Sequence, residues 1–402
     1  MFIELLLFTI AGIGFGVFTG ITPGIHINLV AVILLSISPF LIQFFSPLSL
    51  ACLIIAMSIT HTFLDFIPST FLGAPEEGTA LSVLPAHKLL LRGMAYEAVR
   101  LSSIGSLLSL IAVACSSLVL IKIIPIIYET IKNYIGWILL AVVVFMILKT
   151  KKANKIFWSS VLFLLAGTFG IIVFSLHIKD PLFPMFSGMF GISMLLTSIF
   201  EKVVIPKQRL TEMIEVKKKN LIKATAAGSF SGGLTSIFPG LGPAQSAIIA
   251  SQITGKLGIY SYIILIGGIG TASMMMSLIT LFCIEKARNG SIVVVQELLQ
   301  TIGMNEFYFF IAAAFIAGGI AVFLSLYFAK IFSSLITKVN YQLLCVSIIA
   351  VIAVLSVIFT GWLGFFILAI STSLGLLPPL LNVGRNNLMG SLLLPIIFYF
   401  IL

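Results

Sequence analysis

Gly12-Ile13-Gly14-Phe15-Gly16-Val17-Phe18-Thr19-Gly20-Ile21-Thr22-Pro23-Gly24-Ile25 interrupts an apolar N-terminal run that is otherwise long enough to cross a membrane. Proline removes a backbone donor and glycine permits positive φ, so a helix entering this stretch should break at Pro23-Gly24. At membrane depth such a break is tolerated only where it is buried in protein or lines a water-filled cavity, which predicts a discontinuous or re-entrant helix. The second half carries a close copy: Gly228-Ser229-Phe230-Ser231-Gly232-Gly233-Leu234-Thr235-Ser236-Ile237-Phe238-Pro239-Gly240-Leu241. Gly12, Gly16, Thr19, Pro23 and Gly24 recur at one constant offset as Gly228, Gly232, Thr235, Pro239 and Gly240. A single Pro-Gly pair in a membrane helix reads as a kink or a packing site. Its repetition with the same flanks favours paired breaks around a transporter binding site.

The rest of the chain fits that frame. Of 402 residues, 60% are hydrophobic and 9% charged, which excludes a water-soluble globular protein. Long apolar runs with few turns between them exclude a barrel of short alternating strands. The expected fold is an all-α polytopic membrane protein with about ten to twelve membrane segments in two inverted-repeat halves. The first membrane repeat is expected over 1–200, a basic cytoplasmic linker over 201–223 and the second membrane repeat over 224–402. The net charge of +10 does not imply nucleic acid, because the basic residues cluster in short links between apolar runs, Lys149 to Lys155 and Lys202 to Lys223 among them. That is the positive-inside pattern, and it puts both clusters in the cytoplasm of a multi-pass cell-membrane protein in contact with its lipids. Cys52, Cys115, Cys283 and Cys345 stand singly in apolar runs and read as buried small residues. The N-terminal run has neither a basic leader nor a small-residue cleavage pattern and reads as a retained first helix.

The chemistry available at the breaks is mostly neutral. A helix broken inside a membrane frees amides at the start of its second part, which favour anions, and carbonyls at the end of its first, which favour cations. Around the first break Thr19, Thr22, Pro23, Gly24, His26 and Asn28, and around the second Thr235, Ser236, Pro239, Gly240, Gln245 and Ser246, are the candidate substrate-binding residues. Asp65, one of two aspartates in the chain, lies inside an apolar run. It could hold a coupling Na⁺ or H⁺, and the competing reading is a carboxylate at the membrane surface. His61 precedes it at helical i, i+4 spacing, so the two share a face. His87 and His177 read as loop residues, and Glu76 and Glu77 as a loop that could line the path. Arg385, in a Gly/Asn-rich tail, is the candidate permanent cation for an acidic substrate, against the alternative of a snorkelling interfacial arginine.

Enzyme motifs are missing: no arginine follows Glu76-Glu77 as an intramembrane prenyl protease requires, and there is no phosphate-cradling GxxxxGK[ST] loop for an ATP-driven pump. No cofactor is expected. The segments GVFTGITPGIHIN, GGLTSIFPGLGPAQ, STFLGAPEEGTALSVLPAH and LGLLPPLLNVGRNNLMGSLLLP together resemble the TctA family, the large membrane subunit of tripartite tricarboxylate transporters, and its shorter stand-alone relatives. The resemblance spans most of the chain. It implies a secondary transporter of a small organic anion, di- or tricarboxylate-like, with Pro23-Gly24 and Pro239-Gly240 in the substrate region. It also implies a small membrane subunit and a substrate-binding protein as partners, and an oligomer is compatible with it. Paired Pro-Gly breaks also look like families proposed to flip polyprenyl phosphates, which makes a lipid phosphate the alternative substrate.

Overall fold

A computed structural model describes residues 2–22, 27–72, 83–148, 152–176, 178, 181–200, 205–211, 213–238, 242–255, 257–287, 289–338 and 340–402. Among them all regular structure is helical. The first half contains α1 (Phe2–Ile21), α2 (Ile27–Leu41), α3 (Pro47–Leu64), α4 (Phe66–Phe71), α5 (Val83–Leu90), α6 (Ala95–Ile131), α7 (Ile135–Leu148), α8 (Ala153–Ser175), α9 (Leu182–Phe186) and α10 (Ser193–Phe200). The second contains α11 (Lys218–Ile237), α12 (Pro243–Thr254), α13 (Ile259–Ile284), α14 (Gly290–Leu299), α15 (Met304–Leu335), α16 (Tyr341–Leu380) and α17 (Gly390–Ile401).

Local chemistry sets several of these boundaries. Ser46 caps α3 by accepting the Ser49 amide, with Pro47 at the first helical position where its missing N–H costs nothing. Asn289 caps α14 and Asn340 caps α16 in the same way. A π turn over Ser187–Ile192 separates α9 from α10, and α16 kinks at Gly361, whose φ of 69° suits a residue without Cβ. Helix α11 begins at Lys218, inside the stretch expected to be linker, because its lysines and leucine are good helix formers.

Among the described residues seven helices are long and apolar enough to cross a membrane: α1, α3 with α4, α6 with α7, α8, α13, α15 and α16. Three shorter apolar helices accompany them, Leu182–Thr197, Gly290–Leu299 and Arg385–Ile401. The helical stretch Ala95–Leu148 has 54 residues, more than twice what one crossing of about 20 residues needs. The protein is therefore an integral, multi-pass, all-α membrane protein.

Helix pairing in one half is matched in the other. Helix α1 lies on α3 and α11 on α13; α6 crosses to α13 and α15 to α3; α8 packs on α17 while α16 packs on α9 and α10. The contacts correspond residue by residue. A Cβ on Gly12 would lie 2.2 Å from Leu53 O and one on Gly16 2.6 Å from Met57 O, while one on Gly228 or Gly232 would lie 2.8 Å from Leu265 O or Ile269 O. Small residues let these backbones touch, which supplies the dispersion contact that drives helix association where lipid removes the hydrophobic incentive.

The two central helices are α3, continued by α4, and α13. Each is 89% buried, against 28–39% for the other five candidate spans. The exposed sides of α7, α8, α15 and α16 are large and apolar, with Trp137, Phe157, Phe323 and Trp362 facing outward, as a lipid-contacting surface requires. Cys115 is exposed on this surface and Cys283 is half-buried, so only Cys52 and Cys345 are core residues. His87 is not a loop residue: it lies in α5, 6% exposed, against α4 and α6. His177, Glu76 and Glu77 lie outside the described residues.

Residues 205–211, between the halves, run without regular structure against the turn before α6. Gln208 accepts the Ala95 amide and donates to Leu90 O. Arg209 donates through Nε and Nη2 to both oxygens of Glu97, 1% exposed, at 2.8 and 3.2 Å. Thr211 Oγ1 donates to the same carboxylate, and Tyr260 OH, from the start of α13, lies 3.3 Å from it. One buried glutamate thus ties linker, first half and second half together.

Candidate functional site

The break positions Pro23, Gly24, His26, Pro239 and Gly240, and the Gln245 side chain, lie outside the described residues. What can be built is the frame around them. Helix α1 ends at Ile21 and α2 starts at Ile27; α11 ends at Ile237 and α12 starts at Pro243. Each break is thus flanked by a helix C-terminus and a helix N-terminus, which present free carbonyls and free amides.

Each preceding helix anchors its last turn to a central helix through a threonine. Thr19, fully buried, donates from Oγ1 to Gly16 O at 3.3 Å, and its oxygen lies 3.1 Å from His61 Nδ1 on α3. Thr235 donates to Gly232 O at 2.6 Å and shares a hydrogen bond with Ser273 Oγ on α13. Ser236 Oγ donates to Ser273 O at 2.9 Å and meets Ser277 Oγ at 3.1 Å. Where Ser236 stands in the second half the first has Gly20, whose Cβ would meet Leu64 Cβ at 2.7 Å.

At this level the two buried helices open. From Ser49 to Phe71 every residue is buried except Thr62 and Asp65, and from Ile263 to Leu281 every residue except Gly270 and Ser273. The open positions adjoin: Thr62 Oγ1 lies 2.9 Å from Thr271 Oγ1, and a Cβ on Gly270 would sit 3.9 Å from Thr62 Cβ. Thr22, the last described residue before the first break, is half-buried as well. These partly exposed positions form a polar seam between α3 and α13, at the level of the last turns of α1 and α11.

Further hydroxyls and amides support it. Asn28, in the first turn of α2, accepts the Ser291 amide at 3.1 Å, and Ser58 on α3 donates to Ser291 Oγ at 3.0 Å. Asn28 therefore ties α2 to the N-terminus of α14 as well as standing after the break. Ser246, in the first turns of α12, is fully buried and its Oγ has no partner among the described residues; the same holds for Thr60 Oγ1 on α3. No cluster of three or more metal-ligating side chains occurs among the described residues.

Arg385 is held by other helices. Its Nη1 donates to Ser193 Oγ of α10 at 3.2 Å, and the short turn that carries it packs on α8, α16 and α17. Asn387 in that turn donates to Ser159 Oγ of α8 at 3.1 Å. The described contacts bring Thr19, Thr235, Ser236, Asn28 and Asp65 onto the two central helices and their neighbours, and leave Arg385 outside that group. Sequence reasoning missed Ser58, Thr62, Thr271, Ser273, Ser277 and Ser291. For Ser58 and Thr62 on α3 and for Ser273 and Ser277 on α13 the signal was i, i+4 spacing, legible once the two helices are known to face each other; Thr271 and Ser291 carried no such signal.

Residues 6–390 match the model of the tripartite tricarboxylate transporter TctA family. An uncharacterized protein of Methanocaldococcus jannaschii is 32% identical over 406 residues, covering 98% of this chain and 99% of that protein. No solved structure matches the chain.

Proposed function

The chain belongs to the tripartite tricarboxylate transporter TctA family, and from that premise we propose that it is a secondary transporter of a di- or tricarboxylate-like anion. The observation that carries this reading is the accessible polar group Thr62, Asp65, Gly270 and Ser273 on two helices that are otherwise buried, flanked by the ends of α1 and α11. The substrate carboxylates sit at the amide ends of α2 and α12, with Thr19, Thr22, Thr235, Ser236, Gln245 and Ser246 supplying neutral donors. Pro23-Gly24 and Pro239-Gly240, with His26, form the unwound segments that approach the anion, and Asp65 serves the coupling ion. Arg385 acts from the neighbouring bundle, as a cation that draws the anion toward the path.

In this reading the matched pairings reflect two inverted repeats, with about ten to twelve crossings once broken and short helices are counted. Transport proceeds by rocking of the halves about the seam between α3 and α13, with the Glu97 clasp as a fixed point. The family is tripartite, which makes a small membrane subunit and a substrate-binding protein the expected partners. The lipid-phosphate alternative draws no support from the family. Uptake of labelled citrate, with a panel of other carboxylates, into proteoliposomes under Na⁺ or H⁺ gradients tests the proposal. Gradient-dependent accumulation of at least one carboxylate is expected, and its failure across the panel, with the partner subunits supplied, would overturn it.

A further inference from the structure

The two halves are alike in packing but not in chemistry. With Thr19 placed on Thr235, the residue that each threonine meets is His61 in the first half and Ser273 in the second. One turn further along the central helix stand Asp65 and Ser277. The second half therefore lines its break with hydroxyls, which can bind but cannot change charge near neutral pH. The first half places an imidazole and a carboxylate at the matching positions. We infer that the coupling ion of the transport proposed above is a proton, carried at the first break by the His61–Asp65 pair, while the second break binds the anion with neutral groups.

The geometry supports this assignment. His61 Nδ1 lies 3.1 Å from Thr19 Oγ1, whose hydroxyl also lies 3.3 Å from Gly16 O, so the imidazole is fixed against the last turn of α1. His61 is 3% exposed, whereas Asp65, four residues on along the same helix face, is one of the two open positions of its helix. The carboxylate is thus the more accessible of the two and the imidazole stands behind it, the order a relay requires. An imidazole, with an ordinary pKa near 6.5, is the side chain chemically suited to load and unload a proton.

The described charged groups on the helices packed against α3 are engaged or exposed elsewhere. Of the helices packed on α3, α2, α4 and α13 carry no Asp, Glu, Lys or Arg. Glu4 of α1 accepts the Ser46 amide, at the opposite end of α3. On α6, Glu97 and Arg100 bind the linker and Lys122 and Glu129 are exposed; on α14 and α15, Glu297 and Lys330 are exposed and Glu306 accepts from its own helix start. The proton is taken up on one side, held as imidazolium beside carboxylate while the anion occupies the seam, and released on the other, so its charge partly offsets that of the carboxylate cargo.

The test uses the full chain, with its partner subunits where uptake needs them, in proteoliposomes holding an entrapped pH dye, and labelled citrate or whichever panel carboxylate is transported as the probe. An inward H⁺ gradient should drive accumulation and a Na⁺ gradient alone should not, with luminal acidification accompanying uptake. His61→Gln and, independently, Asp65→Asn should each lower the number of protons moved per carboxylate at least tenfold, whatever they do to the rate. Ser273→Ala should leave that ratio within twofold of wild type. Transport driven by Na⁺ alone, or an unchanged proton ratio in both variants, would sink the proton assignment while leaving the transporter reading intact. Absence of transport for every carboxylate in every gradient would remove both.

Discussion

At the residue scale, single polar side chains in apolar helices decide most of the chemistry. Thr235 shares its hydroxyl with Ser273 beside the second break, and hydrogen bonds between membrane helices contribute about 1 kcal/mol each. Thr235→Val should therefore raise KM for carboxylate uptake roughly fivefold, by the conversion of about 1.4 kcal/mol per decade. An unchanged KM would take Thr235 out of the site. His87 belongs to stability instead. Burial pushes its pKa down to about 4, below the ordinary 6.5, so the fold holds it neutral. A lowered histidine pKa means that the unfolded chain binds the proton first: the contribution is complete above pH 6.5 and is lost as pH falls toward 4. The loss amounts to at most about 3 kcal/mol. Thermal unfolding in detergent should show the melting temperature falling across that window, and His87→Phe should flatten the fall; a slope identical in the variant would assign the acid sensitivity elsewhere.

At the element scale, the helices associate through backbone contact at glycines. A Cβ on Gly105 of α6 would lie 1.9 Å from Ile264 O of α13, and one on Gly170 of α8 1.8 Å from Ser391 O of α17. Backbone atoms cannot rotate away, so the helices themselves must separate. Gly105→Ala should cost about 1–3 kcal/mol, the usual penalty of overpacking. Gly14, on the same helix as Gly12 and Gly16 but with nothing within 4 Å of its Cβ position, is the control. Gly14→Ala should be neutral or stabilising by roughly 0.5–1 kcal/mol, because alanine costs less backbone entropy in a helix. Melting temperatures of the two variants, compared with wild type in one detergent, check both; equal effects would mean that glycine contacts do not hold α6 to α13. The first such glycines, Gly12 and Gly16, were visible in the sequence as part of the repeat. Gly105 was not, because nothing local shows which helix will face it.

At the scale of the whole molecule, the buried Glu97 joins both halves through Arg209, Thr211 and Tyr260. Removing its charge breaks a charge-assisted bidentate pair and leaves linker residues without their acceptor. Glu97→Gln should free the 205–217 segment, and trypsin should cleave at Lys207 or Arg209 several times faster than in wild type. An unaltered cleavage rate would show that Gln208 and the backbone contacts hold the linker by themselves. The charge distribution also predicts an orientation, with Lys152 and Lys217 on the same, cytoplasmic side. Single cysteines at these two positions should label only from the cytoplasmic face; labelling from opposite faces would refute the placement.

The sequence alone determined the class of fold and pointed to where α1 and α11 end, at Ile21 and Ile237. Hydrocarbon solvent forces long apolar helices, and a repeated Pro-Gly in such a run is visible without any contact being known. Thr19, Thr235 and Ser236 could be picked out for the same reason, since they lie inside the repeat. The sequence did not show that α3 and α13 are the two buried helices, because every membrane helix is apolar and composition does not tell a lipid-facing surface from a protein-facing one. Only the tertiary structure brought Thr62 against Thr271 and Ser58 against Ser291, set His61 against Thr19, and moved Arg385 to the helices around Ser193. These are contacts between residues far apart in the chain, and they depend on which helix faces crossed, which no local periodicity encodes.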